Sequence, residues 1–481
     1  MYKKVLSKAP NGTTYIYLDE PYYDKSKARS SHHRVCVGKL NDDGTEYYNS
    51  RYRGLFSDGA LKSPVIVLEG EHLLLDKLSR TLGLKDALDE VFGSEDGEKL
   101  LALSSYLATG RKTLSEAGAW LSQRGYSYAP DRKELGAFLS SLESQDFQRF
   151  YQLWQKKKSK GKLLLYILNP VSRYSTAGTY LERGMQEEEM EKLPLCLLAS
   201  KSLPLSLSLL PEAMDAERLY DWLSSLPGMD TELTVITDRS FFSEDNLLSL
   251  SKRGIDFTIP VPPGTKGLKE TFRRQRKALS GLASILVDKD NEEIHAVTFT
   301  KGGKLWEHIY YDALRKDREN KAFLKRLERC RNGQGTEKDE DFMRQYLDSP
   351  EAVTDFLTSP SACWALVSDS EPNARRALCQ YRTRNDLELH FDDLRNSPDS
   401  GRNGLELDAK LFLSFLSLVL LSEMKNQVSK NGLKRKLHYN WKDVLDEVSS
   451  YSSVQFPDSP VPLRTAPTET QRLIFEAFKI S

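Results

Sequence analysis

The stretch Leu163–Leu168, LLLYIL, is apolar or aromatic at every position. A strand open to water on one face alternates polar and apolar residues, whereas a strand apolar throughout must be covered on both faces. The neighbouring segments supply both the sheet and its cover. PLSLSLL at Pro204–Leu210 alternates, and LTVIT at Leu233–Thr237 is again of the buried type. Asp215–Leu223 has helical periodicity, Glu244–Lys252 reads as a helix stopped by Gly254, and DFTIP at Asp256–Pro260 reads as a further strand. Residues 163–260 therefore read as an α/β unit.

A second stretch, YRTRNDLELHFDDLR at Tyr381–Arg395, carries the chemistry. Tyr381, Arg384, Glu388 and Arg395 are spaced by three, four and seven, which sets all four along one face of a helix. Leu387, Phe391 and Leu394 follow the same rhythm beside them and predict the buried stripe. The pattern fits a surface helix with i,i+4 charge pairs. It equally fits a carboxylate beside a phosphate-gripping comb, because Arg forks bind phosphate oxygens and Glu binds metal ions. Spacing alone leaves both open.

The remaining segments are arranged around these two. Residues 1–60 read as strands and turns, with Thr13–Leu18 and Arg34–Leu40 as strands and Asn11-Gly12 and Asp43-Gly44 as turns. Residues 61–162 read as helical, with Leu73, Leu74, Leu78 and Leu82 in helical rhythm before Gly83. Lys156, Lys157, Lys158, Lys160 and Lys162 read as a solvated linker or a set of phosphate contacts. Residues 261–362 hold three strand candidates, a charged helix at Ala313–Arg331 and a polar loop, NGQGTEKDED. A strand at Ala362–Ser368 leads into residues 363–481, which hold the Tyr381 helix, the apolar run Leu411–Leu421, and amphipathic helices at Trp441–Val448 and Glu469–Phe478.

Length and composition bound the rest. With 481 residues, 39% hydrophobic and 29% charged, the chain reads as a soluble protein of two to four domains. Its 69 basic and 69 acidic residues cancel, so any nucleic-acid surface has to be local. Cys36, Cys196, Cys330, Cys363 and Cys379 form no CxxC pair and read as reduced thiols. The Leu411–Leu421 run is 11 residues, short of the roughly 20 that a membrane span needs. With no signal-peptide pattern at the N-terminus, the expected place is the cytoplasm.

Tyr381, Arg384, Glu388 and Arg395 together resemble the signature around the third acid of bacterial insertion-sequence DDE transposases named for a Tyr-Arg-Glu-Lys pattern. Arg395 stands at the Lys position. TVITDRSFFS at Thr234–Ser243 is similar to that family's segment around the second acid, with Ser240 in place of a Gly. The resemblance extends over most of the chain, including Tyr22, Tyr23 and Gly38-Lys39-Leu40 in the N-terminal arm. It implies a cut-and-paste transposase that binds terminal inverted repeats as a homodimer and joins them to target DNA. The implied fold is α/β: an RNase H-like core, a mixed sheet with flanking helices, split as 163–260 and 363–481. An insertion domain at 261–362, a β-rich arm at 1–60 and a helical DNA-binding or dimerisation region at 61–162 complete it. Implied metal ligands for Mg²⁺ or Mn²⁺ are Asp238 and Glu388. Implied DNA contacts are Tyr381, Arg384, Arg395, Arg239 and Trp306, the last by base stacking. The implied location is the bacterial nucleoid, away from membrane.

The first acid is missing. In the family an Asp follows a run such as Leu-Leu-Tyr, and here Ile167 stands there. Asn169, two residues on, is a neutral amide and a poor bridge between metal ions. Gly184-Met185 and Pro211–Asp215 also depart from the family pattern, and Glu182 and Asp215 are the carboxylates that could substitute. The expectation is an impaired transposase, or a transposase-derived DNA-binding protein or relic.

Overall fold

A computed structural model describes residues 3–10, 12–24, 29–41, 44–49, 65–111, 113–174, 190–210, 215–225, 232–287, 293–301, 305–396, 404–455 and 462–480. The side chains of 24, 170–174, 190–192, 224–225, 287, 301, 392–396 and 404–406 are not among them. Glu182, Gly184-Met185, Pro211–Met214 and the side chains of Leu394 and Arg395 thus lie outside the described residues. The chain forms two compact units: Met1–Glu69 with Ser450–Thr468, and Gly70–Ser449 with Glu469–Ser481.

In the first unit β1 (Lys3–Lys8), β2 (Thr14–Asp24), β3 (Arg29–Leu40) and β4 (Glu46–Tyr48) form an antiparallel sheet in chain order. Ile16, Leu18 and Val37 make its small core. Gly38 is required there, because a Cβ would meet the Tyr47 carbonyl oxygen at 2.1 Å. Tyr22 and Tyr23 are exposed on the far part of the β2–β3 ribbon. A second sheet joins β5 (Val65–Leu68) to strands Ser452–Gln455 and Leu463–Arg464. Glu69 ties it together by accepting from Ser453 and from Arg464 Nε at 3.0 Å. The unit therefore draws in residues 450–468, which the sequence groups with the core.

The second unit opens with helices Gly70–Leu82 and Leu84–Ala108, parted by Gly83 at φ 65, the left-handed conformation that glycine adopts at least cost. The helix Ser144–Lys158 runs into the lysine cluster rather than stopping before it. Lys157 pairs with Glu90 at 2.6 Å, Lys162 pairs with Asp256, and Lys158 lies 5.2 Å from the Trp154 ring centroid. These lysines have internal partners and do not form a free linker.

The main sheet contains β6 (Leu163–Tyr174), β7 (Met190–Ser200), β8 (Leu203–Leu209), β9 (Leu233–Ile236), β10 (Asp256–Pro260), β11 (Ile285–Val287), β12 (Glu293–Lys301), β13 (Leu305–Tyr311) and β14 (Cys363–Ser368). Its spatial order is β11-β12-β13-β14-β10-β9-β6-β7-β8. The β6–β7 and β7–β8 pairs are antiparallel, β9 runs parallel to β6 and β10 parallel to β9, and β14 is antiparallel to β10. The sheet is mixed, and β11–β13 extend it through β14. Sequence analysis leaves β7 unassigned. Its Pro194, which cannot donate to a ladder, sits opposite an irregularity in β6 between Leu168 and Val171, where no ladder bond is lost. A second difference lies in NGQGTEKDED. Thr336 and Asp339 form a capping box there, so the helix Glu337–Leu347 starts inside the expected loop.

Two helices decide where the site forms. Gly404–Lys430 is buried from Leu411 to Leu421 and packs on the Leu84–Ala108 helix and β8. Among the described residues no helix is long and apolar enough to cross a membrane. Ala374–Asn396 carries the Tyr381–Arg395 motif and lies on β6, burying Leu387 and Phe391. Its N-terminus is pinned to the sheet. Tyr310 donates to the Ala374 carbonyl at 2.8 Å, and buried His308 bridges Thr298 Oγ1 at 2.8 Å and the Glu371 carbonyl at 2.9 Å.

Burial pushes the His308 pKa down, against a smaller upward pull from the Glu371 carbonyl. A His whose folded pKa lies below its unfolded one binds fewer protons when folded. Its stabilising contribution is complete above the ordinary histidine range and is lost as pH falls through that range. Thermal unfolding from pH 7.5 to 5 should therefore show a steeper loss of midpoint in the wild type than in His308→Gln, and equal slopes would refute this.

Candidate functional site

The parallel strand β9 stops at Ile236, level with Tyr166 on β6. Beyond that point β6 has no partner on this side, and a notch opens at the sheet edge. Thr237 and Asp238 leave β9 into the notch, and Asp238 caps the short 3-10 turn Arg239–Phe241 by accepting from the Ser240 N–H at 2.7 Å. Across the notch lies the helix Ala374–Asn396, which presents Arg384 and Glu388 one turn apart.

Arg384 organises the cluster. Its Nη2 lies 2.8 Å from Glu388 Oε1 and 3.7 Å from Asp238 Oδ2. Its Nε donates to the Ile167 carbonyl at 2.9 Å, and Nη2 donates to Asn169 Oδ1 at 3.4 Å. The Asn169 N–H in turn donates to Glu388 Oε1 at 2.7 Å. The irregularity in β6 turns this amide away from the ladder and toward the helix. Exposure of the side chains falls from 31% at Asp238 to 12% at Glu388 and 4% at Arg384. The guanidinium is therefore held in low dielectric, where ion pairs and charge-assisted hydrogen bonds are strongest.

Tyr381 stands at the rim and packs against the cluster of Ile294, Tyr310, Leu366, Ala377 and Leu378. Burial raises its phenol pKa, Arg384 and Arg239 pull it down, and Asp238 and Glu388 push it up. Arg239 is exposed beside Asp238. Trp306 is not part of this group. It pairs with Ser368, which pairs with Thr258, which pairs with Ile236. Three strand spacings of about 4.8 Å put it roughly 14 Å along the sheet from β9. The helix carrying Arg395 runs to Asn396, and nothing further is described of that side chain. Asp215, a possible substitute acid, caps the helix Ala216–Ser225 by accepting from the Arg218 N–H at 2.9 Å.

Strand alternation sets which residues of β6 share the face of the cluster. Tyr166 lies against the Ala374–Asn396 helix, where its hydroxyl interacts with Thr383. Successive side chains on a strand point to opposite faces, so Ile167 faces away from the helix and Leu168 faces toward it. Ile167 reaches the cluster through its backbone carbonyl alone. The position on the face of Asp238 and Glu388 is Leu168, which is buried and apolar. A one-residue offset in reading β6 exchanges the two faces. Neither Ile167 nor Leu168 brings a carboxylate to the notch.

A two-ion centre needs hard oxygen donors around both cations. Here two carboxylates are available, one already capping a turn and the other already bound to a guanidinium and an amide. Among the described residues no group of three or more His, Cys, Asp or Glu could hold a metal ion. This donor set does not fit a two-metal centre.

No protein-family model matches the chain, and no curated protein matches its sequence. Among solved structures, a piggyBac transposase synaptic complex with hairpin DNA is similar at 10% identity and a TM-score of 0.30, over 79% of this chain and 70% of that one. A likeness of that size carries no argument for fold or activity.

Truncating one partner of a buried ion pair leaves the other charge uncompensated, at a cost on the order of 3–5 kcal/mol. Arg384→Met should destabilise the chain by about that much in urea unfolding, and Arg384→Met with Glu388→Met should recover most of it. Arg239→Ala, on the exposed side, should stay within about 0.5 kcal/mol of the wild type.

Proposed function

We propose that this chain is a DNA-binding protein of the DDE transposase type that holds the terminal inverted repeats of an insertion sequence and cleaves them poorly or not at all. The observation that carries this reading is the meeting of Asp238, Arg384 and Glu388 at one sheet edge. The strand order supports it. From β6 to β10 the five strands lie as third, second, first, fourth, fifth, with the first three antiparallel and the last two parallel to the first. That order and those directions support an RNase H-like core. Asp238 follows the fourth of these strands, and Glu388 lies on a later helix, as the resemblance implies for the second and third acids.

In this reading Arg384 fixes the rotamer of Glu388 and offsets one of the two carboxylate charges, exposed Arg239 beside Asp238 offsets the other, and a phosphate backbone can approach the notch. Arg239 and Tyr381 stand at its rim and contact that backbone. The helices of 61–162 recognise the ends, and a homodimer brings two ends and the target duplex together in the bacterial nucleoid. Trp306 serves by stacking a base away from the notch. Mg²⁺ or Mn²⁺ chemistry requires a carboxylate that β6 does not supply. The alternative of a fully active transposase needs that carboxylate to come from elsewhere in the chain.

The test uses a plasmid carrying the DNA that flanks this gene. The wild type should retard that DNA with an affinity that falls steeply with salt. In Mn²⁺ it should leave the plasmid intact, Leu168→Asp should nick it, and Ile167→Asp should not. Nicking by the wild type, lost in Asp238→Ala, would overturn the impaired-site reading. Failure of the wild type to bind the flanking DNA at low salt would overturn the assignment as a whole.

A further inference from the structure

The chain as a whole is electroneutral, yet between Lys266 and Lys277 six cations stand against one acid, Glu270. The helix Leu268–Leu279 occupies most of this segment. Leu268, Phe272 and Leu279 are buried and seat it on β12 and β13. Lys269, Arg273, Arg276 and Lys277 are all exposed and, at 100° per residue, fall on one face. Arg273 and Arg274 reach Glu270 only at 3.9 and 3.4 Å, and both remain about three-quarters exposed, so this acid leaves their charge largely in solvent. From Lys269 to Lys277 the face spans about 12 Å, which matches three to four phosphates at about 3.4 Å rise per strand.

The topology fixes the end of the sheet at which this helix begins. β10 runs parallel to β9, so the chain after Pro260 leaves the sheet at the edge from which Asp238 projects, and it enters the basic helix eight residues later. Arg276 also lies within electrostatic reach of Tyr311. Tyr311 pairs with Cys363 at the same end of the sheet. Tyr310 faces the Ala374–Asn396 helix. Its neighbour Tyr311 therefore faces the opposite way, and the two helices flank one sheet edge from either face.

From this placement and charge we infer that the Leu268–Leu279 helix is a contact surface for the phosphate backbone of double-stranded DNA running along that edge. The inference rests on the proposed function and adds a surface to it. Phosphate contacts of this kind supply affinity and register without reading sequence, and each releases counterions.

The test measures the salt dependence of duplex binding by the full chain, using flanking DNA and an unrelated duplex of equal length. Lys269→Gln, Arg273→Gln, Arg276→Gln and Lys277→Gln combined should reduce the slope of log affinity against log salt by about 2 to 4, equally on both duplexes. Affinity at low salt should fall at least about tenfold. Replacing Arg273 and Arg276 by Lys should leave the slope intact. A control with Lys321→Gln and Lys325→Gln, exposed on the Ala313–Arg331 helix, should also leave it intact. An unchanged slope in the fourfold variant, with wild-type binding present, would overturn the inference while sparing the proposed function. An equal loss in the control would reduce the effect to overall charge and overturn it too. Absence of binding by the wild type would remove both.

Discussion

Arg384 receives its partners from segments 217 and 215 residues away in the chain, at the Ile167 carbonyl and the Asn169 amide, as well as from Glu388 one turn along its own helix. This one guanidinium ties the helix Ala374–Asn396 to the central strand of the sheet and to the end of its parallel neighbour. A buried cation is tolerated only where oxygen acceptors surround it. Those acceptors exist because β9 ends early and because β6 is irregular just past Leu168. The carboxylates, the open carbonyl and the turned amide are thus one constraint expressed by three elements. Any change to the strand ending, the irregularity or the helix seating is felt by all of them.

That constraint also sets the chemistry. An aspartate in place of Leu168 would give the notch three carboxylates and a net negative charge suited to divalent cations. With a leucine there, the charges of Asp238 and Glu388 are met by an arginine and by backbone donors, and the cluster satisfies itself. Such a site holds its geometry well, and only with Arg239 at its rim does its formal charge reach zero. It lacks the donors to position two metal ions. In the proposed reading, binding without efficient cleavage follows from that balance. The basic helix after β10 brings uncompensated positive charge to the same edge, where the notch itself has little to spare.

Most element types were readable because they depend on local pattern. The buried strands at Leu163 and Leu233, the charged helix at Ala313–Arg331 and the two C-terminal helices are visible in hydrophobic period alone. β7 was not, since Pro194 argues against a central strand until its place opposite the irregular part of β6 is known. The helix starting in NGQGTEKDED was hidden by its polar composition, although the Thr336–Asp339 capping pair was there to be read. The basic helix is hidden in the overall composition, because zero net charge says nothing about where charges gather.

The sequence by itself determined that Tyr381, Arg384 and Glu388 share a helical face, that Asp238 follows a buried strand, and that no acid stands near the end of the Leu163 strand. Each of these depends on a few consecutive residues and a fixed period. The tertiary structure decided that Leu168, and not Ile167, shares a face with Tyr166 and the helix, because side chains alternate at every step and only the pairing with β9 and the contact of Tyr166 with the helix fix the phase. It likewise decided that Arg384 lies between Glu388 on its own helix and Asp238 at the end of a distant strand, a contact that no local period encodes.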